Sequence, residues 1–228
     1  MRNCSTKGAK KLRKIEAKNG CYNRLMAELL LVVPWMIAIV YSSVPLFWFA
    51  IHPLAQRWRR TQGSPYRILL PLWFAVIVVL GIATWRWRSA QFYSSPWAWV
   101  AALPFVFLAL KTYLRIRSEF GMTNFIGETE LRPEQHQQRL ITTGLHARMR
   151  HPIYLAHLCM FLGWTILSGL LVNFVLLAVS ALITFPLMIR MEEKELVKRF
   201  GETYHEYQRM VPLIPFISKR AWRSEETV

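Results

Sequence analysis

Two short stretches of this chain carry side chains able to hold a charged small molecule. The first, Gly144 to Tyr154, reads G-L-H-A-R-M-R-H-P-I-Y and ends where a long apolar run begins. Arg148, Arg150 and His151 crowd against Pro152 there. Three cationic or titratable groups at the mouth of a membrane helix are costly unless a partner or a ligand compensates them. Pro152 suits the first helical position, where its missing N–H costs nothing. The amides that follow, at the positive end of the helix dipole, then face an anion or carbonyl lying in the loop. The second stretch, from Arg190 to Phe216, interleaves Glu192, Glu193, Glu195, Glu202 and Glu206 with basic residues and aromatics.

Taken singly, each residue has a plain structural use. Arg148 and Arg150 read as charges flanking a membrane helix, and His151 as a helix-start histidine bonded to water. Glu192 and Glu193 read as partners of Arg190 and Lys198 on a solvated face, and Tyr204 and Tyr207 as interfacial packing. Taken together, in this order around a helical hairpin, they read as one site.

Several chemistries are excluded by pattern. The ten glycines include no G-x-G, so the dinucleotide and P-loop fingerprints are missing. The six histidines show neither H-x-x-x-H nor H-E-x-x-H spacing, which argues against a metal. No G-x-S-x-G frames a nucleophilic serine. Cys4, Cys21 and Cys159 suggest neither a disulfide framework nor a CxxC site.

The elements that position the two stretches are membrane helices. Apolar residues make up 54% of the 228 and lie in blocks apart from the charges, the signature of an all-α polytopic membrane protein. A net charge of +16 would suggest nucleic acid in a soluble chain. Here the basic residues flank apolar blocks, so the expected partners are anionic lipid headgroups and not nucleic acid. Met1 to Arg24 is a basic polar tail without a core of its own, expected to lack fixed structure. Spans are expected at Leu25–Ile51, Ile68–Trp85 and Trp97–Tyr113, each near the required length of about 20 residues. Leu114–Arg150, with Gly121, Gly127 and Pro133, is too long for a plain connector and so reads as functional.

Ile153 to Ile189 would reach about 55 Å as one helix at 1.5 Å per residue. Ser168, Gly169 and Asn173 therefore divide it into a hairpin, which makes five spans. Arg190 to Arg209 follows as an amphipathic helix leaving the bilayer, interrupted near Gly201 and ended by Pro212 and Pro215. Three organisational regions result: the tail 1–24, three helices over 25–113, and a catalytic region over 114–228. Five spans put nineteen Lys and Arg on one side: four in His52–Arg67, seven in Lys111–Arg150 and eight from Arg190 onward. The positive-inside rule makes that side cytoplasmic. The eight basic residues of the N-terminal tail then fall outside. A tail held at the interface, a first span that does not cross, or a translation start at Met26 would each remove that conflict.

The two stretches resemble the isoprenylcysteine carboxyl methyltransferase family of integral membrane enzymes and the related phospholipid N-methyltransferases. The resemblance rests on G-x-x-x-x-x-R-H-P-x-Y, a helical hairpin, then E-E-x-x-L, F-G-x-x-Y-x-x-Y and V-P-x-x-P-F. It covers roughly the last ninety residues. It implies a methyltransferase that binds S-adenosylmethionine without a Rossmann domain, releases S-adenosylhomocysteine and acts on a lipid-like or small hydrophobic acceptor. It also implies a site facing the cytoplasm, in a bacterial inner membrane. Carried onto this chain, it places His151, Pro152, Tyr154 and Leu155 against the cofactor. Leu140, Thr142, Gly144, Leu145 and His146 supply wall and backbone contacts, and Glu192 or Glu193 holds the cofactor's ammonium or ribose hydroxyls. Arg190 lies near the acceptor, and the catalytic set is Arg190, Glu192 and Glu193. The chain departs from the family's pattern at Leu145-His146, where Pro-Tyr is frequent, and at Ala156, where Gly is common. Two other readings compete: an NADPH-dependent sterol-type reductase, which shares R-H-P-x-Y, and a non-catalytic membrane protein that binds lipid or a partner.

Overall fold

The computed structural model describes residues 4–60, 64–120, 131 and 139–214, with the side chains of residues 4–25, 27 and 120 left aside. Seventeen residues of the long loop expected at Leu114–Arg150, including Gly121, Gly127 and Pro133, lie outside the described residues, as do Pro215 and Phe216. The described residues are helical, with one isolated bridge between Gln91 and Leu170. Helix α1 spans Cys4–Ile51. Its backbone is helical through the stretch expected to be an unstructured tail, which corrects that expectation. A 3₁₀ turn at His52–Leu54 and a short α2, Ala55–Arg59, follow. Next come α3, Tyr66–Thr84, and α4, Ala98–Phe120. A 3₁₀ turn at Gly144–Ala147 leads into α5, Pro152–Ser168. Helix α6 is Leu171–Val179, and a π-helical segment at Ser180–Thr184 joins it to α7, Phe185–Phe200. Helix α8, Glu202–Met210, closes the described chain.

Among the described residues, four helical stretches are long and apolar enough to cross a membrane: Glu28–Arg59, Tyr66–Trp87, Ala98–Glu119 and Leu171–Phe200. The fifth expected span is the apolar α5, whose 17 residues lie at the lower limit of about 17–25 for a crossing. The acidic stretch is the end of the last long helix and not an element of its own. That helix runs from Leu171 to Phe200 because the π segment absorbs Pro186, whose missing N–H cannot serve the carbonyl of Leu182. The outer faces of α3 and α4 expose Ile68, Phe74, Val79, Ile82, Trp99, Leu103 and Phe107. Such a surface belongs against lipid tails.

Small residues set how closely the helices approach. Ala98, Ala102 and Ala109 of α4 are buried, as is Ala156 of α5, and Val106 fills the space a side chain would need at Gly163. This is the small-residue packing that membrane helices use, since lipid supplies no hydrophobic drive between them. The hairpin turns at Gly169, whose φ of +61° and contact with the Tyr93 backbone admit no side chain. The Trp85–Pro96 connection clamps that turn: Phe92 N donates to Gly169 O (2.7 Å) and Leu171 N to Ala90 O (2.9 Å).

Two polar contacts tie α1 to the hairpin. Asn173 donates to the Pro34 carbonyl at 3.2 Å. Pro45 lacks the N–H that would serve the Tyr41 carbonyl, and His157 Nε2 sits 2.9 Å from that oxygen. A carbonyl can only accept, so the Nε2 of His157 carries the proton. Its Nδ1, 3.4 Å from the Tyr113 hydroxyl, is left to accept. His157 is thus a bonded core histidine.

Candidate functional site

The site forms where the start of α5 meets the end of α7. Pro152 stands at the first turn of α5, and His151 precedes it with φ −126° and ψ 62°. That backbone turns the His151 ring onto Tyr154, with ring centroids 5.4 Å apart and planes 13° from parallel. Only 7% of His151 is exposed. Its Nε2 lies 3.1 Å from Glu193 Oε1 and its Nδ1 3.3 Å from Glu192 Oε2. Both ring nitrogens therefore face carboxylates. The Tyr154 hydroxyl bears on Glu192 as well. Burial opposes charge on the His151 ring, but the two carboxylates outweigh it and hold its pKa up at about 9.

Arg150 locks this corner to the chain's C-terminal part. Its Nε donates to Glu193 Oε1 at 2.7 Å, and its Nη1 donates to the carbonyls of Gln208 (3.1 Å) and Val211 (2.8 Å). Its backbone N–H donates to Pro212 O at 3.0 Å. Gln208 Nε2 donates to the other oxygen of Glu193 at 3.2 Å. Two cations and two carboxylates thus share one small volume. Glu192 Oε2, though buried beside Nδ1, has no donor aligned for a hydrogen bond.

The 3₁₀ turn makes the adjoining wall. Gly144 has φ +61°, and a Cβ there would be built into the Glu119 carboxylate. That carboxylate accepts from Leu145 N at 2.9 Å and from Arg115 Nε at 2.8 Å. His146 is buried, and its carbonyl accepts from the Tyr207 hydroxyl at 2.7 Å. Burial, then the charge of His151, lowers the His146 pKa to about 4, so its ring is neutral near pH 7. Leu140 packs on the cluster of Tyr204, Tyr207 and Val211. Burial pushes both tyrosine pKa values far up.

Of the residues expected in the site, Gly144, Leu145, His146, His151, Pro152, Tyr154, Glu192 and Glu193 come together in this way. Leu155 continues the first turn of α5, its N–H 3.4 Å from His151 O, and Thr142 is half-buried in the preceding loop. Arg190 is exposed on α7 and joins none of the described contacts of the cluster. Glu119, Arg150 and Gln208 are the contributors the sequence did not single out as site residues. Arg150 was visible as a charge needing a partner. Glu119 and Gln208 carried no signal, because their partners lie 26 and 15 residues away. A second buried carboxylate, Glu195, is held by Arg59 (2.7 Å) and Arg199 (2.6 Å) and pins the chain after α1 to α7. Among the described residues, no three His, Cys, Asp or Glu side chains gather as metal ligands would.

Residues 97–203 match the family model described as phospholipid methyltransferase. The chain is similar to the protein-S-isoprenylcysteine O-methyltransferase of Schizosaccharomyces pombe, with 31% identity over 112 residues, 49% of this chain and 48% of that protein. It is also similar to the methanethiol S-methyltransferase of Crocosphaera subtropica, with 30% identity over 151 residues, 62% and 54% of the two chains. The chain thus spans about half the length of the curated relatives it matches. No solved structure gives a significant match.

Proposed function

We propose, from the match of residues 97–203 to the phospholipid methyltransferase family model, that this integral membrane protein is an S-adenosylmethionine-dependent methyltransferase. Its acceptor is a lipid-like or small hydrophobic molecule. The observation that carries the reading is the carboxylate pair Glu192–Glu193 closed over His151 and Tyr154 at the start of α5. The cofactor brings an ammonium and a sulfonium. A buried carboxylate oxygen without an aligned donor, Glu192 Oε2, fits the first of these, and the Tyr154 ring offers aromatic surface to a cation.

When bound, the cofactor supplies an electrophilic methyl group, which leaves the protein to align two reactants and keep water out. Glu192 and Glu193 hold the cationic end, while the Gly144–Ala147 turn, fixed by Glu119, walls the loop side. An acceptor reaches this place from the bilayer. Tyr154, Phe185, His157 and Tyr41 form a continuous run of ring contacts from the site into the helix bundle. A carboxylate acceptor would pair with Arg190. An amine or thiol acceptor would need a base, and Glu192, Glu193 or His151 is in place for that. The two named relatives methylate oxygen in one case and sulfur in the other, so they leave the acceptor atom open. The site faces the cytoplasm, the side to which the nineteen basic residues assign it.

Thermal melting of the purified protein with S-adenosylhomocysteine tests the reading. A ligand confined to the folded state adds about 2.7 kcal/mol at a hundredfold excess over Kd. The melting point should rise with this ligand and stay put with NADPH. A rise with NADPH alone would make the protein a reductase. No rise with either, in folded protein, would leave a non-catalytic binder.

A further inference from the structure

Geometry alone constrains the protonation state of His151. A neutral imidazole has one N–H and one lone pair. Here Nε2 stands 3.1 Å from one carboxylate oxygen and Nδ1 3.3 Å from another. A neutral ring could serve only one of these carboxylates, and the second, 3.3 Å from the other nitrogen although not aligned with it as a hydrogen bond, adds the negative charge that keeps a proton on both nitrogens. The nearest charged groups then balance: Glu192 and Glu193 of α7 against His151 and Arg150. The other titratable groups facing the cluster among the described residues are His146 in the 3₁₀ turn, Tyr154 on α5, Tyr204 and Tyr207 on α8 and His52 after α1. His146 is already neutral near pH 7 and has no proton to give.

The cofactor's ammonium, brought to this balanced cluster with its own carboxylate turned away from Glu192 and Glu193, would set three cations against two buried carboxylates. Arg150 cannot release its proton, whereas a histidine can. We propose that His151 is a protonated placeholder: its imidazolium fills the cation place between Glu192 and Glu193, and gives up one proton to solvent when the cationic end of the cofactor takes that place. The inference rests on the methyltransferase reading and adds to it a proton linkage. Loss of cofactor restores the proton, so occupancy of the site by cofactor and by proton is mutually exclusive. The raised pKa of His151 supports the charged state of the empty site. The consequence is that cofactor affinity falls as the solution is acidified below the pKa of His151.

The test is isothermal titration of the full-length protein with S-adenosylmethionine and with S-adenosylhomocysteine. Both are run at pH 7.5 in buffers of different ionisation enthalpy. About one proton should be released per cofactor bound, and affinity should rise about tenfold for each unit of pH between 6 and 7.5, below the range in which an α-amine titrates. Release with both ligands assigns the displacing charge to the ammonium, and release with S-adenosylmethionine alone assigns it to the sulfonium. Either result supports the proposal. The His151→Gln variant, if it still binds, should release no proton and show an affinity flat in pH. If that variant fails to bind or fold, nitrogen-15 labelling of the six histidines reads the same ring in the unaltered protein. His151 should pass from imidazolium to neutral imidazole on saturation with S-adenosylhomocysteine or with S-adenosylmethionine. Binding without proton release, or an imidazolium that survives saturation with both ligands, overturns the placeholder and leaves the methyltransferase standing. Proton release that persists undiminished in His151→Gln also overturns it. Absence of binding by both ligands overturns the two readings together.

Discussion

Replacing Gly144 by alanine tests whether the loop wall and Glu119 form one unit. Two costs are predicted, and they are separable. A non-glycine residue at φ +61° costs roughly 1–2 kcal/mol in backbone strain. The new Cβ would also occupy the Glu119 carboxylate's place, breaking its charged hydrogen bond to Leu145 N, a bond worth about 1.5–3 kcal/mol. The sum is roughly 2.5–5 kcal/mol. In a Glu119→Ala background the second cost has already been incurred, so Gly144→Ala should there cost only about 1–2 kcal/mol. The double-mutant cycle should thus show a coupling of about 1.5–3 kcal/mol. Denaturant unfolding in a mild detergent, with S-adenosylhomocysteine affinity measured alongside, gives all four corners. Glu119→Gln keeps an acceptor for Leu145 and should recover part of the loss. A coupling below about 0.5 kcal/mol, the level found for independent sites, would refute the seating of Glu119 on Gly144.

Other outcomes follow from the same geometry. The raised pKa of His151 means the folded cofactor-free protein holds a proton the unfolded chain has lost, so its contribution is full below pH 6.5 and disappears as pH rises through about 9. That loss should be on the order of 3 kcal/mol in melts across the range, and its absence would put a neutral ring in the site. Glu193→Gln should lower the melting point, because Glu193 serves Arg150, His151 and Gln208. Glu192→Gln should weaken S-adenosylhomocysteine binding and bring the His151 pKa down, and an unchanged affinity in calorimetry would take Glu192 out of the site. Tyr207→Phe removes the bond to the His146 carbonyl and should destabilise by about 0.5–1.5 kcal/mol in denaturant titration. Single cysteines at the exposed Ser118 and Thr203, in a background without Cys4, Cys21 and Cys159, should resist an impermeant reagent applied outside intact cells. Labelling of either would overturn a cytoplasmic site.

What could be read from the sequence was local. Pro152 as the first residue of α5, Gly169 as the hairpin turn and the break at Gly201 each follow from one residue's backbone chemistry, and the structure has all three. The proximity of His151 to the acidic pair came from a resemblance, since 42 residues separate His151 from Glu193 and no periodicity links them. Glu119 was not legible. It lies in the last turn of α4 as one more charge beside Arg115 and Arg117, and no local pattern links it to Leu145, 26 residues on. Arg59 and Glu195, 136 residues apart, looked like ordinary membrane-flanking charges. The continuity of α6 with α7 was obscured for a different reason. Composition changes sharply at Arg190 while the helix does not, because backbone hydrogen bonding is indifferent to whether a turn is in lipid or in water.

The proline at 45 and the histidine at 157 make up one heritable unit. With Pro45 present, the Tyr41 carbonyl has no donor in its own helix, and His157 on a different helix supplies one. A lineage that kept the proline and lost the histidine would strand an oxygen in the bundle, at several kcal/mol. One that lost the proline would close the gap from within α1 and release the histidine from duty. Neither residue is then free to drift alone. Relatives should keep both or change both, and a chain caught between the two states should be poorly folded until the second change arrives.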